Sequence, residues 1–179
     1  RKEYSFLLTA MAGNQEITSE EDPSYREFKD KLEEMMIHLA KLIVSDGEGA
    51  SKFIEYQVVN APDELMARKL VRSISDSTLV KAAMYGRDPN WGRIVCAAGN
   101  AGVPFDYEVV DLYIGEEKTM VKVLDNGQPL EFDRNYMKKI LRESHIFVKL
   151  DLKKGDAQAV GWGADLTTDY VVFNSVYTT

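Results

Sequence analysis

The sequence has one cysteine, Cys96, and two histidines, His38 and His145. A lone thiol closes no disulfide within the chain and favours a reducing, cytoplasmic setting. Neither histidine carries a motif of metal-ligand spacing, so both read as surface or structural residues and no metal site is expected. No apolar run approaches the ~18 residues of a transmembrane helix. Basic residues are in deficit: 22 Lys and Arg stand against 29 Asp and Glu, a net charge of −7. That balance argues against nucleic acid, which needs a basic surface, and against an anionic membrane face. There is no Walker A loop and no G-x-S-x-G elbow. An initiator Met and a signal-peptide layout are also missing. Tyr4, Phe6 and Leu8 already alternate as in a strand, so the chain reads as part of something longer.

What is present is enough for a folded core. The chain has 179 residues, 45% of them hydrophobic, which makes one domain or two small ones. Gly13-Asn14 marks a turn after the first strand. Asp22-Pro23 looks like an N-cap followed by proline at the first helical position. Tyr25, Phe28, Leu32, Met35, Met36, Leu39, Leu42 and Ile43 then recur at three- and four-residue steps, which predicts a long amphipathic helix. Asp46-Gly47-Glu48-Gly49 ends it. Lys52 to Val59 is rich in β-branched and aromatic residues, a strand. Pro62 and Asp63 open a second helix through Ile74. Leu79 to Met84 is short and apolar and fits either type. Ile94 to Ala98 reads more as helix than strand.

The second half differs in pattern. Val109 to Ile114 and Thr119 to Leu124 read as paired strands, and Asp125-Asn126-Gly127 as a tight turn. Asp133 caps a helix to Glu143. Ile146 to Leu152 and Ala157 to Trp162 are strands. The ending from Trp162 stays apolar almost to its last residues, with Tyr170, Phe173 and Tyr177, and is expected to be docked. The whole is mixed α/β with hairpins, and a lobe boundary is placed near Asn60-Ala61-Pro62.

Three segments offer chemistry. Asp46-Gly47-Glu48-Gly49 sets a glutamate between two glycines after a helix. It reads either as a C-cap or as a carboxylate presented to a cleft. Gly86 to Arg93 gathers charge, turn residues and Trp91, and either braces a site or forms one. The Trp162-to-Thr179 ending offers Asn174 and Thr179 as hydrogen-bonding groups. Cys96 sits in an apolar stretch and is expected to be a buried, inert thiol.

Together, Asp46 to Phe53, Asp88 to Arg93, Trp162 to Thr167 and the Asn174-to-Thr179 ending resemble one family. It is the β chain of ornithine acetyltransferase, also called glutamate N-acetyltransferase, of arginine biosynthesis. The resemblance runs in order from about Gly13 to Thr179. It implies a precursor that cleaves itself at an Ala-Thr bond into α and β chains. The new N-terminal threonine takes acetyl from N-acetylornithine and passes it to glutamate. Some members also use acetyl-CoA, and no other cofactor is implied. A threonine hydroxyl becomes nucleophilic when a base such as the N-terminal amine stands beside it, and two-step transfer gives ping-pong kinetics. The oxyanion hole comes from the α chain in this family.

Carried over residue by residue, the substrate-binding positions fall on Glu48, Asn174 and Thr179. Glu48 suits an ammonium group, and Asn and Thr donors suit a carboxylate. Asp88, Asn90, Arg93 and Asp165 are assigned to bracing. The nucleophile is not in this chain and is expected upstream of Arg1; Thr9, mid-strand, does not serve. The family's S-T-N-D segment is not seen. No catalytic residue is therefore assigned, and the isolated chain is expected to be inactive. The expected fold is part of a layered αββα lobe of N-terminal-nucleophile type over 1–59, then an α/β roll with a mixed sheet over 60–179. The expected partners are the α chain, in a hetero-oligomer, and the substrates N-acetylornithine and glutamate. Two alternatives stay open: a related amidohydrolase or aminopeptidase, and a catalytically dead binding relative.

Overall fold

The computed structural model describes residues 17–176. The strand expected around Tyr4, Phe6 and Leu8, the Gly13-Asn14 turn, Tyr177 and Thr179 lie outside them. Two compact units divide between Leu39 and Ala40.

The first unit carries most of helix α1 (Pro23–Ser45). Asp22 starts it as expected: its Oδ1 accepts the Ser24 backbone N–H at 2.8 Å. The apolar stripe of α1 is only partly covered among the described residues, with Tyr25, Leu32 and Leu39 half-buried. The helix buries none of its side chains, and Phe28, Met35 and Met36 are exposed.

In the second unit the elements run β1 (Phe53–Ala61), α2 (Glu64–Asp76), α3 (Thr78–Tyr85), α4 (Trp91–Gly99), β2 (Asp111–Glu116), β3 (Thr119–Asp125), β4 (Gln128–Pro129), α5 (Arg134–Ile140), β5 (His145–Asp151), β6 (Ala157–Ala164) and α6 (Thr168–Val176). The six strands form one mixed sheet in the order β4-β3-β2-β5-β1-β6. β1 and β5 are parallel, and the other pairings are antiparallel. This is a mixed α/β fold with a mixed sheet, as the sequence implies. The expected division between 59 and 60 falls inside β1. Both neighbours of β1 come from the later part of the chain, so the sheet does not divide there.

Period-two alternation builds the core. Ile54, Tyr56 and Val58 on β1 and Ile146, Val148 and Leu150 on β5 are buried. Ala67, Leu70, Val71 and Ile74 form the buried stripe of α2, at helical spacing. Full burial of each Ile or Leu stabilises by about 1.5–3 kcal/mol. α2 lies close against β6 because Gly161 has no side chain: a Cβ there would come 2.4 Å from Val71 Cγ1. Asp63 caps α2, accepting the Met66 N–H at 2.8 Å. Asp133 caps α5, accepting from Asn135 and Tyr136. Asn126 and Gly127 both have positive φ, as a two-residue hairpin turn of this type requires.

Three expectations are corrected or resolved. Leu79 to Met84, which fitted either type, is helical in α3. Cys96 is exposed, not buried; Ile94, Ala97 and Ala98 take the inward face of α4, and Cys96 lies off it. The apolar ending is helix α6, and it buries none of its side chains. Tyr170, Val171, Val172, Phe173 and Val176 are exposed. Hydrogen bonds, not burial, hold it. Among the described residues no helix is long and apolar enough to cross a membrane.

Candidate functional site

The Asp46–Gly49 turn leaves α1 and runs into β1 through Ala50, Ser51 and Lys52. On its own such a turn has no reason to hold one shape. The chain after β6 fixes it. Asp165, only 6% exposed, accepts the backbone N–H of Ser51 at 2.8 Å and of Lys52 at 2.9 Å through Oδ1. Its Oδ2 accepts the Ser51 hydroxyl at 2.5 Å. Hydrogen bonds to a carboxylate are roughly twice as strong as neutral ones. Asp165 therefore braces the loop, the role the sequence assigned to it.

Thr167 makes the second clamp. Its buried hydroxyl donates to the Gly49 carbonyl at 2.6 Å and accepts the Tyr170 N–H at 3.1 Å. The first turn of α6 is thereby set on Gly49. The Tyr85 and Thr168 hydroxyls lie 3.1 Å apart, a further tie between α3 and α6.

These clamps bring Glu48 and Asn174 together. Asn174 Nδ2 donates to Glu48 Oε2 at 3.1 Å and to the Tyr170 carbonyl at 2.8 Å. Both amide hydrogens of Asn174 are then committed. Glu48 Oε1 and Asn174 Oδ1 have no partner among the described residues, and both are acceptors. The pair as it stands matches an ammonium group. It does not offer the donor to a carboxylate that the sequence reading gave to Asn174. Both side chains are exposed, so a ligand can reach them.

The Asp88–Arg93 segment stands apart from this pair. Asn90 Nδ2 donates to Asp88 Oδ2 at 3.2 Å, and Arg93 Nη1 donates to the Leu79 carbonyl at 3.0 Å. The second bond ties α4 to the start of α3. Asp88, Asn90 and Trp91 line an open cleft with Phe132 and Arg134. No hydrogen bond joins the segment to Glu48 or Asn174. Among the described residues no group of three or more His, Cys, Asp and Glu side chains could hold a metal ion.

Sequence reasoning missed the Thr167–Gly49 clamp. Its signal was present: a threonine just before a helix start, a capping position, and a glycine in a turn. What the sequence withholds is that the two meet.

Comparison with known proteins adds the rest. The sequence pattern of the ArgJ family matches residues 5–179. The arginine biosynthesis bifunctional protein ArgJ of Thermotoga neapolitana is 44% identical over 173 residues, covering 97% of this chain and 43% of that protein. The chloroplastic protein of the same name from Ricinus communis is 43% identical over 178 residues, covering 97% of this chain and 37% of that one. The crystal structure of the Bacillus halodurans ArgJ protein superposes with a TM-score of 0.83 at 36% identity, covering 91% of this chain and 75% of that chain. The chain thus spans about two fifths of the length of the curated relatives it matches.

Proposed function

Because this chain belongs to the ArgJ family, we propose that it supplies substrate-binding residues to an acetyltransferase acting between N-acetylornithine and glutamate. The observation that carries the reading is the Glu48–Asn174 hydrogen bond at 3.1 Å. Two residues far apart in sequence meet, and they leave acceptors open for the ammonium of an amino acid. Thr179 is the third member of this set by resemblance.

The chemistry takes two steps. A threonine hydroxyl upstream of this chain attacks the acetyl carbonyl of N-acetylornithine. The N–acetyl bond breaks, and ornithine leaves with the proton. The amine of glutamate then attacks the acetyl ester, forming N-acetylglutamate and restoring the hydroxyl. The open acceptors of Glu48 and Asn174 meet the amide N–H of N-acetylornithine in the first half-reaction and the amine of glutamate in the second, so one acceptor pair serves both. Because the acetyl group rests on the threonine between the two steps, the kinetics are ping-pong.

The partner in this proposal is the α chain of the same precursor, which supplies the oxyanion hole. The exposed apolar side chains of α1 are consistent with a covering partner. The relatives are named bifunctional, which fits a second acetyl donor such as acetyl-CoA. A reducing, cytoplasmic location goes with the single cysteine.

The test uses the full-length protein that contains this chain. It should transfer acetyl from N-acetylornithine to glutamate with ping-pong kinetics, and a trapped intermediate should carry one acetyl group. Glu48→Ala should raise KM for both amino acids by about tenfold or more, the loss of one charged hydrogen bond, with a smaller change in kcat. Unchanged KM and kcat would remove Glu48 from the site. Release of acetate to water without transfer would favour the amidohydrolase reading.

A further inference from the structure

We propose that a pocket lined by Ser51 and Lys52, three and four residues after Glu48, binds an oxyanion: the carboxylate or phosphate group of a small organic ligand. Its walls include Lys41 from the end of α1, Ser51 and Lys52 from the loop, and Ser144 and His145 at the start of β5. Its volume is about 500 Å³, in the range of small-molecule sites. Among the described residues no carboxylate side chain lines it. In a chain of net charge −7, a cavity that gathers two lysines and a histidine without an acid is not a sample of the general surface.

Lys52 is the centre of the argument. The residue is only 7% exposed. Its ammonium makes one long hydrogen bond, to the Glu143 carbonyl at 3.4 Å. Its other two N–H groups have no partner among the described residues. A buried ammonium is costly unless an anion or further acceptors satisfy it. The nearby Asp165 does not do so directly: its hydrogen bonds go to Ser51 and to the Lys52 backbone N–H, and among the described residues it forms no ion pair with the Lys52 ammonium. Burial accordingly pushes the Lys52 pKa down; Asp165 and Glu143 pull it back up, and Arg87 adds to the depression. An oxyanion in the pocket would supply the missing partner.

The other donors are also unspent. The Lys41 amine lies 5.0 Å from the centre of the Trp162 ring and forms no ion pair among the described residues. His145 is held between Phe53, edge-on at 4.7 Å, and Phe147, stacked at 4.6 Å. The Ser144 hydroxyl has no partner among the described residues. By contrast the Ser51 hydroxyl is committed to Asp165. The pocket therefore offers donors, whereas Glu48 and Asn174 offer acceptors. The two sites select opposite charges, and this proposal stands whether or not the chain serves acetyl transfer.

The full-length protein should be titrated calorimetrically with inorganic phosphate and, separately, with acetate, at ionic strength held constant with chloride. Saturable binding of at least one ion is expected. Lys52→Met should weaken it about tenfold or more, and Lys41→Gln or His145→Gln about threefold or more. Lys41 and His145 are less buried than Lys52, and they keep the test decisive if Lys52→Met does not fold. Glu48→Ala should leave the affinity unchanged, which separates this site from the substrate pair. Phosphate alone would indicate a phosphate ester, acetate alone a carboxylate, and both a general oxyanion site. No saturable binding of either ion, or equal affinity in wild type, Lys41→Gln and His145→Gln, would overturn the proposal.

Discussion

The hydroxyl of Thr167 donates to the carbonyl of Gly49 at 2.6 Å, across 118 residues of chain. The same oxygen accepts the Tyr170 N–H. One small side chain thus locks a turn after the first helix to the opening of the last one. The position of Glu48 beside Asn174 is a consequence. Glu48 precedes the clamped carbonyl by one residue, and Asn174 lies one helical turn after the clamped amide.

Gly49 should tolerate no side chain. Its φ is +69°, and a Cβ would fall 2.7 Å from the Tyr170 nitrogen. Gly49→Ala should cost about 1–3 kcal/mol from backbone strain alone. It should also push α6 off the loop. The measurable result is a lower denaturation midpoint together with a raised KM for the amino-acid substrates. Gly47→Ala is the control. There a Cβ meets nothing closer than 3.2 Å, so its effect should be clearly smaller. Equal losses in the two variants would refute the clamp.

The difference between what was legible and what was not has a physical pattern. Alternation and helical stripes placed β1, α2, β5 and α5 because burial of one face is encoded locally. Asp63 and Asp133 announced their helices, since a cap acts within three residues. The apolar ending misled. Tyr170, Val172 and Phe173 look like a docked segment, yet α6 is held by Thr167 and Asn174, and its apolar side chains stay exposed. Periodicity reports apolarity, not the partner that covers it. The boundary drawn at Asn60-Ala61-Pro62 falls at the end of β1, a strand paired on both sides with later chain. Proline and asparagine mark the end of β1 correctly, but only the pairing with β5 and β6 shows that β1 belongs to the later sheet. Glu48 and Asn174 were legible through family resemblance. Their hydrogen bond, and its use of both Asn174 amide hydrogens, was not.

Asp111 should make stability depend on acid pH. It is buried on β2, 4% exposed. Its carboxylate meets the Lys122 amine at 2.7 Å, the Lys153 amine at 2.6 Å and the Asn126 N–H at 2.9 Å. Burial works to raise its pKa. The hydrogen bonds from Lys122, Lys153 and Asn126 outweigh burial and hold the carboxyl well below the usual carboxylate range. A depressed folded-state pKa gives stability that is complete above the unfolded value, about 3.9, and is lost as pH falls below it. Asp111→Asn should therefore be less stable by about 1–3 kcal/mol at neutral pH. Its deficit against wild type should shrink below about pH 4. Urea denaturation across that range tests this, and a deficit constant with pH would count against it.

Tyr56 presents the opposite case, a polar atom whose removal should do no harm. The residue is 1% exposed, on the buried face of β1. Its hydroxyl has no hydrogen-bond partner among the described residues. Burial pushes its pKa up, with the Asp165 charge adding to the shift. A buried hydroxyl without a partner carries a desolvation cost of about 1–3 kcal/mol. The ring itself is needed, because it fills the space beside Gly163: a Cβ built on that glycine would lie 3.3 Å from Tyr56 Cε2. Tyr56→Phe keeps the ring and deletes the cost. Its denaturation midpoint should match or exceed that of wild type, by up to about 1 kcal/mol. Tyr56→Ala should instead lose about 3–5 kcal/mol, as large-to-small changes of an aromatic core residue do. If Tyr56→Phe were the destabilised variant, the hydroxyl would have to be satisfied by an ordered water, and β1 would owe part of its register to that bond.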